Sequence, residues 1–242
     1  MRTINFAKRN IKELLRDPVN LVFCLGLPLF LLVIFQQFKI PSVIYSLTYF
    51  TPGIVIFSFS FLTLFTAQLV SRDRSTSLLS RLFASPMKAI EYILGYTISL
   101  FPIALLQILI FFFTAYLMGL DFTINTLYTM LVSLPMSILF IELGILMGVI
   151  SSDKTSPALG SLVVQLVAFT SGMWFSVDMV GKVFGVICNI LPFSHSLNIT
   201  QVLLMNNGKS IINDIIIVAL YTLFTFIISI ILFKNKMQSD NK

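Results

Sequence analysis

Few side chains in this sequence could do chemistry, and each of them stands alone. His195 is the only histidine, so neither a histidine-based metal cluster nor the HExxH zinc motif can be assembled. A Ser–His pair for proteolysis inside a membrane would have to use it. No nucleophile motif accompanies it, and it reads as a structural histidine in a loop near the outer surface. Cys24 and Cys188 are the only cysteines, too few and too far apart in sequence for a disulfide framework or a thiolate metal site. Gly208-Lys209-Ser210 resembles the end of a phosphate-binding loop, but that motif needs a glycine five positions before Gly208, and Leu203 stands there. Any ATP hydrolysis must therefore come from another polypeptide. Asn198-Ile199-Thr200 fits a glycosylation sequon and carries no weight by itself.

An acid deep inside an apolar run is Glu142, in Phe140-Ile141-Glu142-Leu143-Gly144, where it is nearly alone. A carboxylate at the centre of a bilayer costs about 3 kcal/mol on insertion scales, so such a residue faces a bundle interior or a cavity. Three roles fit: a lining residue of a substrate path, a proton site, or a hydrogen-bonded strut between helices. Gly144 and Gly148 form a GxxxG pair, whose small residues let two helices approach closely.

The elements that must hold these residues follow from composition. Of 242 residues, 57% are hydrophobic and only 11% are charged, and the mean hydropathy is +0.96. A water-facing domain carries roughly 25% charged residues, so most of this surface faces something else. Apolar runs of about 20 residues, the length that crosses a ~30 Å hydrocarbon core, lie near Val19–Phe38, Thr51–Val70, Ile93–Met118, Thr126–Ile150, Ala158–Phe175 and Ile211–Phe233. Single runs in lipid must satisfy their own backbone, so each is expected to be a helix. The fold class is all-α integral membrane, with six transmembrane helices and kinks expected at Pro28, Pro102 and Pro135. The first run is too long for a signal peptide and lacks a small-residue cleavage site.

Basic residues orient the spans. Thirteen of the sixteen fall on one side: Arg2, Lys8, Arg9, Lys12, Arg16, Arg72, Arg74, Arg81, Lys88, Lys154, Lys234, Lys236 and Lys242. Only Lys39, Lys182 and Lys209 fall on the other. The basic side is expected to be the cytoplasm, with both termini there. The net charge of +6 is thus a topology signal, and nucleic acid is not expected as a partner.

Three segments are not simple spans. Residues 1–18 form an amphipathic helix with Ile4, Ala7, Ile11, Leu14 and Leu15 on one face, ended by Asp17-Pro18. It serves as a topology anchor lying on lipid, or it also touches a cytoplasmic partner. In the loop Ser71–Pro86, Leu78, Leu79, Leu82 and Phe83 make an apolar stripe with Arg74 and Arg81 off it, and Ser75 and Thr76 are placed to cap the start of a short helix. That stripe needs a protein surface or lipid headgroups to cover it. Between the fifth and sixth spans, the apolar stretch Val177–Leu191 is too short to cross and suits a re-entrant segment, with Asn189, Pro192 and His195 in the turn around its end. The polar tail 235–242 follows the membrane domain 19–234.

Together these pieces resemble the membrane subunit of an ABC type-2 exporter, the permease class of drug, polysaccharide and lipid export systems. Lys12-Glu-Leu-Leu-Arg-Asp-Pro18, followed by Leu27-Pro28, is similar to that family's elbow helix entering its first span. Arg72-Asp73-Arg74 through Arg81-Leu82 and Ser85-Pro86, with Gly95 beyond, is similar to its coupling segment, although Asp73 and Ser75 stand where the family usually has Glu and Gly. The apolar segment before the last span resembles its paired re-entrant helices, and Leu191-Pro192-Phe193-Ser194-His195 its usual turn. The resemblance implies a permease that binds no cofactor itself. Its partners would be an ATP-binding subunit that uses ATP and magnesium, a second permease copy (homodimer or related heterodimer) and membrane lipid. Arg72, Asp73, Arg74, Leu78, Leu79, Arg81, Leu82 and Phe83 would couple the two subunits. The setting it implies is a bacterial cell membrane, and the cargo a hydrophobic or amphipathic molecule. The competing classes are an ion-coupled secondary transporter, in which repeats and several midplane charges are expected, and a membrane scaffold without transport.

Overall fold

The computed structural model describes residues 2–38, 42–76, 88–175 and 181–239. Every regular element among them is helical. Helix α1 (Arg2–Leu15) comes first. Asp17 then caps α2 (Pro18–Leu21) by accepting the backbone N–H of Asn20 at 3.2 Å, with proline at the first helical position where a missing N–H costs nothing.

The first span is not a plain helix. Between α2 and α3 (Leu27–Gln37) the backbone widens into a π turn over Val22–Gly26. Pro28 has no N–H to give the carbonyl of Cys24, four residues earlier. In a membrane that carbonyl needs another donor. The buried Gln107 supplies it: its Nε2 lies 3.2 Å from the Cys24 carbonyl, 3.0 Å from Cys24 Sγ and 3.0 Å from the Ser58 carbonyl. One amide thus ties three segments together in the bundle interior.

After a single 3-10 turn at Val43–Tyr45 come α4 (Leu47–Ser75), α5 (Ala89–Leu117), α6 (Ile124–Ile150), α7 (Ser156–Thr170), α8 (Lys182–Ile190), α9 (Pro192–Met205) and α10 (Ile212–Ser239). Among the described residues, five stretches are long and apolar enough to cross a membrane: Pro18–Gln37, Leu47–Ser75, Ala89–Leu117, Ile124–Ile150 and Ile212–Lys236. They match the first four expected spans and the sixth. The expected fifth, Ala158–Phe175, is represented by α7, whose 15 residues reach about 22 Å at 1.5 Å per residue. Helices α8 and α9 meet at a bend of 83° and make a sixth candidate if the pair counts as one. Helices α5 and α6 run through Pro102 and Pro135 without interruption.

Helix α4 is the centre. In its membrane window 89% of residues are buried, against 17% for the first span and for α10. It packs most extensively on α6 and α7. Glycines on those two neighbours allow this: a Cβ on Gly144 of α6 would sit 2.6 Å from the Thr63 carbonyl, one on Gly148 of α6 2.8 Å from the Ala67 carbonyl, and one on Gly160 of α7 2.8 Å from Leu64 Cα. The outer helices turn Phe30, Phe113, Leu220 and Phe224 outward, as a lipid-facing surface requires.

Three expectations need correction. The second span does not stop at Val70: α4 continues to Ser75, so Arg72-Asp73-Arg74 is helical and not in the loop. Those charges find partners on neighbouring helices, so nothing obliges the helix to end with the apolar run. Ser75 is the last residue of α4 and Thr76 its cap, the Thr76 N–H reaching the Arg72 carbonyl at 3.0 Å; the short helix they were expected to open lies outside the described residues. His195 is in the first turn of α9, because Pro192 starts a helix there instead of breaking one. Residues 235–239, read as a polar tail, continue α10.

Candidate functional site

The densest polar constellation gathers around the end of α4. Asp73 is 1% exposed. Arg9 of α1 grips it with two bonds, Nη1 to Oδ2 and Nη2 to Oδ1, each 2.7 Å. This fork-to-fork pairing is the strongest arrangement open to a carboxylate. The hydroxyl of Tyr96, on α5, donates to Oδ2 at 2.9 Å. Arg9 also meets Glu13 one turn along α1 at 2.5 Å and donates to Asn10 Oδ1 at 2.9 Å. Partial burial works against the charge on Arg9, but Asp73 outweighs it, and the guanidinium is held more basic than an ordinary arginine.

Apolar contacts seat the latch. Phe6 sets its ring edge-on to Tyr92 and Tyr96 at centroid distances of 5.5 and 5.0 Å. It lies so close over Gly95 that a Cβ there would come within 2.5 Å of its ring. The buried face of α1 is thus Phe6, Ala7, Asn10 and Leu14, packed on α5, while Ile4 and Leu15 point outward.

One residue beyond Asp73, Arg74 reaches the other way. Its Nη1 donates to the carbonyls of Gly148 at 2.9 Å, Ser151 at 3.1 Å and Val149. Gly148 and Val149 carry two of the last carbonyls of α6, which have no donor within the helix, and Ser151 caps its end; a cation is favoured at that end of the helix dipole. Arg72 is exposed, 3.8 Å from Asp17. Three consecutive residues of α4 therefore bind α2's capping acid, α1 with α5, and the end of α6. The rest of the expected coupling set, Leu78, Leu79, Arg81, Leu82 and Phe83, lies outside the described residues.

Glu142 stands apart from this cluster. It is 1% exposed on α6, and Oε1 accepts the hydroxyl of Thr97 on α5 at 2.8 Å. Two residues on, the glycine pair presses α6 against α4. His195 lies between Asp214 of α10, at its Nδ1, and the Asn189 carbonyl, 2.9 Å from its Nε2. Asn198 adds a 2.7 Å bond to Asp214. These bonds give the histidine a structural place joining α8, α9 and α10, and among the described residues no serine hydroxyl bonds to its ring.

Sequence reading missed Arg9 as anything but a topology charge, and missed Tyr96, Thr97 and Gln107 altogether. A signal existed for the first: Asn10 and Phe6 fall on the inward face of α1, where a helix resting on lipid alone has no use for an asparagine. Among the described residues no three metal-ligating side chains lie together. The arrangement can transmit displacement, because moving the end of α4 strains charge-assisted bonds to three other helices at once. A family model described as ABC-2 type transporter matches residues 3–205, from α1 through the end of α9. No curated protein matches the chain.

Proposed function

The chain belongs to the ABC-2 type transporter family, and from that premise we propose that it is the permease subunit of an ATP-driven exporter for a hydrophobic or amphipathic cargo. The family makes it a membrane transport subunit, not a catalyst. In the proposed assembly a separate ATP-binding subunit holds ATP and magnesium, two permease copies pair in a cell membrane, and both chain ends face the cytoplasm with the basic residues. The apolar stripe after α4 docks on the ATP-binding subunit. The observation that carries this reading is the position of α4: the most buried helix of the bundle ends in Arg72-Asp73-Arg74, locked to α1, α5 and α6, immediately before that stripe.

A push on the stripe then acts on the centre of the bundle. Asp73 carries it into α1 and α5, and Arg74 carries it into α6. On this view Asp73 and Arg74 serve coupling from inside the permease, whereas Leu78, Leu79, Arg81, Leu82 and Phe83 make the contact. Burying an apolar side chain of this size is worth roughly 1.5–3 kcal/mol. Leu82→Ser with Phe83→Ser should therefore weaken docking on the order of a hundredfold or more, so that the variant inserts normally but loses the copurifying ATPase and ATP-dependent transport. Normal transport by the double variant, or no ATPase copurifying with the native chain, would sink the exporter reading.

One observation favours an ion-coupled carrier, namely the buried acid Glu142. Transport in proteoliposomes separates the two. The exporter moves its cargo with ATP and ignores an imposed proton gradient; a carrier does the reverse.

A further inference from the structure

A groove of about 570 Å³ runs between α5, α6, α9 and α10. Leu94, Val132, Ile215, Val218, Leu223 and Phe226 are among the residues that line it, and Glu142 is the only ionisable one. Glu142 itself is almost wholly buried, and while Oε1 has Thr97, Oε2 has no hydrogen-bond partner among the described residues. Thr97 cannot serve both oxygens. Its single hydroxyl proton is already shared between Oε1 and the Ile93 carbonyl, 3.0 Å away.

An acid oxygen held in apolar surroundings with nothing to accept from is costly. A proton would neutralise it but leave the new hydroxyl without an acceptor; a ligand that serves the carboxylate must bring a donor, and by charge the best donor is a cation. An alkane would fill the groove and leave Oε2 bare. An anion would be repelled. A metal ion would find one carboxylate and apolar walls. The volume is that of a drug-sized or single-tailed molecule.

We propose that this groove is a membrane-depth binding site for an amphiphilic amine, whose ammonium donates to Oε2 of Glu142 while its apolar body lies along α10. As the seat of a transported cargo the site rests on the permease reading; as a binding site it rests on the geometry alone. The amine supplies both the charge and the donor that the walls lack, and the tail replaces lipid against Val218 and Phe226.

The test is equilibrium binding of radiolabelled dodecylamine, with dodecanol as its uncharged counterpart, to the purified protein in phosphatidylcholine nanodiscs. Dodecylamine should bind saturably at one site per chain, at least about tenfold tighter than dodecanol. Glu142→Gln should lose that preference, and Glu142→Asp should keep part of it. Val218→Trp, which fills the groove without touching the carboxylate, should weaken both ligands. Each variant is first checked for monodisperse elution. Equal affinity for the two ligands in the native protein, or an unchanged amine preference in a well-folded Glu142→Gln protein, overturns the proposal and leaves a lipid-filled groove. No ATPase partner enters this measurement, so its failure is separate from that of the exporter reading, which copurification decides.

Discussion

Asp73 is buried with both oxygens on Arg9 and a third bond from Tyr96, so each partner's removal leaves a different defect. Without Arg9 a buried carboxylate retains only Tyr96; without the acid, Arg9 still has Glu13 and can turn toward water. Hydrogen bonds to charged groups contribute roughly 1.5–3 kcal/mol each. Arg9→Gln should therefore destabilise the protein in a detergent unfolding titration more than Asp73→Asn does. The double variant should cost less than the two singles added, with a coupling of about 1–2 kcal/mol; simple additivity would mean the latch is only a surface contact. Because Arg9 is held more basic than usual, its contribution is complete below arginine's ordinary range and is lost only above it. Across the neutral range stability should thus show no step from this group. At this scale little was legible in advance. The acid was visible between its two arginines, but its true partner is 64 positions away, and local spacing carries no information about a contact that tertiary packing creates.

Between elements, the decisive contacts are those where backbones nearly touch. Gly144 and Gly148 bring α6 onto Thr63, Thr66, Ala67 and Val70 of α4 so closely that an added Cβ would stand 2.5–2.6 Å from its nearest neighbour. Gly144→Val should push the helices apart and cost about 1–3 kcal/mol or more in the same titration, with loss of monodisperse elution. Gly26→Ala is the control: its nearest neighbour would be Val22 Cγ1 at an ordinary 3.6 Å, and it should be tolerated. Gln107→Leu should cost about 1–2 kcal/mol, since the Cys24 carbonyl freed by Pro28 then loses its donor. The glycine pair could be read ahead because its spacing matches the helix repeat. Pro28 could be read as a disturbance for the same reason that it lacks an N–H. Gln107 could not, because nothing near it in sequence shows that a carbonyl 83 positions earlier needs it. Helix α9 was hidden by a different cause: Pro192 can end one helix or begin the next, and here it does the second.

For the whole molecule the number of membrane crossings turns on α7 and the α8–α9 pair. Helix α7 is too short on its own for a full hydrocarbon core, and the α8–α9 pair bends through 83°. If α7 with the bends after it crosses and α8–α9 enters and returns on the far side, the chain crosses six times. If the whole stretch stays on one side, it crosses five times, and Lys234, Lys236 and Lys242 land outside, opposite Arg2, Arg9 and Arg16. The charge pattern favours six, because only that count keeps thirteen of the sixteen basic residues together. Hydropathy alone could find the long runs but not decide this, since α7 and the bent pair each offer about half of a crossing signal. Both native cysteines are buried, so cysteines introduced singly report cleanly. Of Lys154→Cys, Lys209→Cys and Lys234→Cys, only Lys209→Cys should react with an impermeant maleimide in intact cells, and the other two only after permeabilisation. Labelling at Lys234→Cys with protection at Lys209→Cys would establish five crossings. It would place the end of α10 across the membrane from the Arg9–Asp73 latch, and the exporter reading would lose its shared cytoplasmic face.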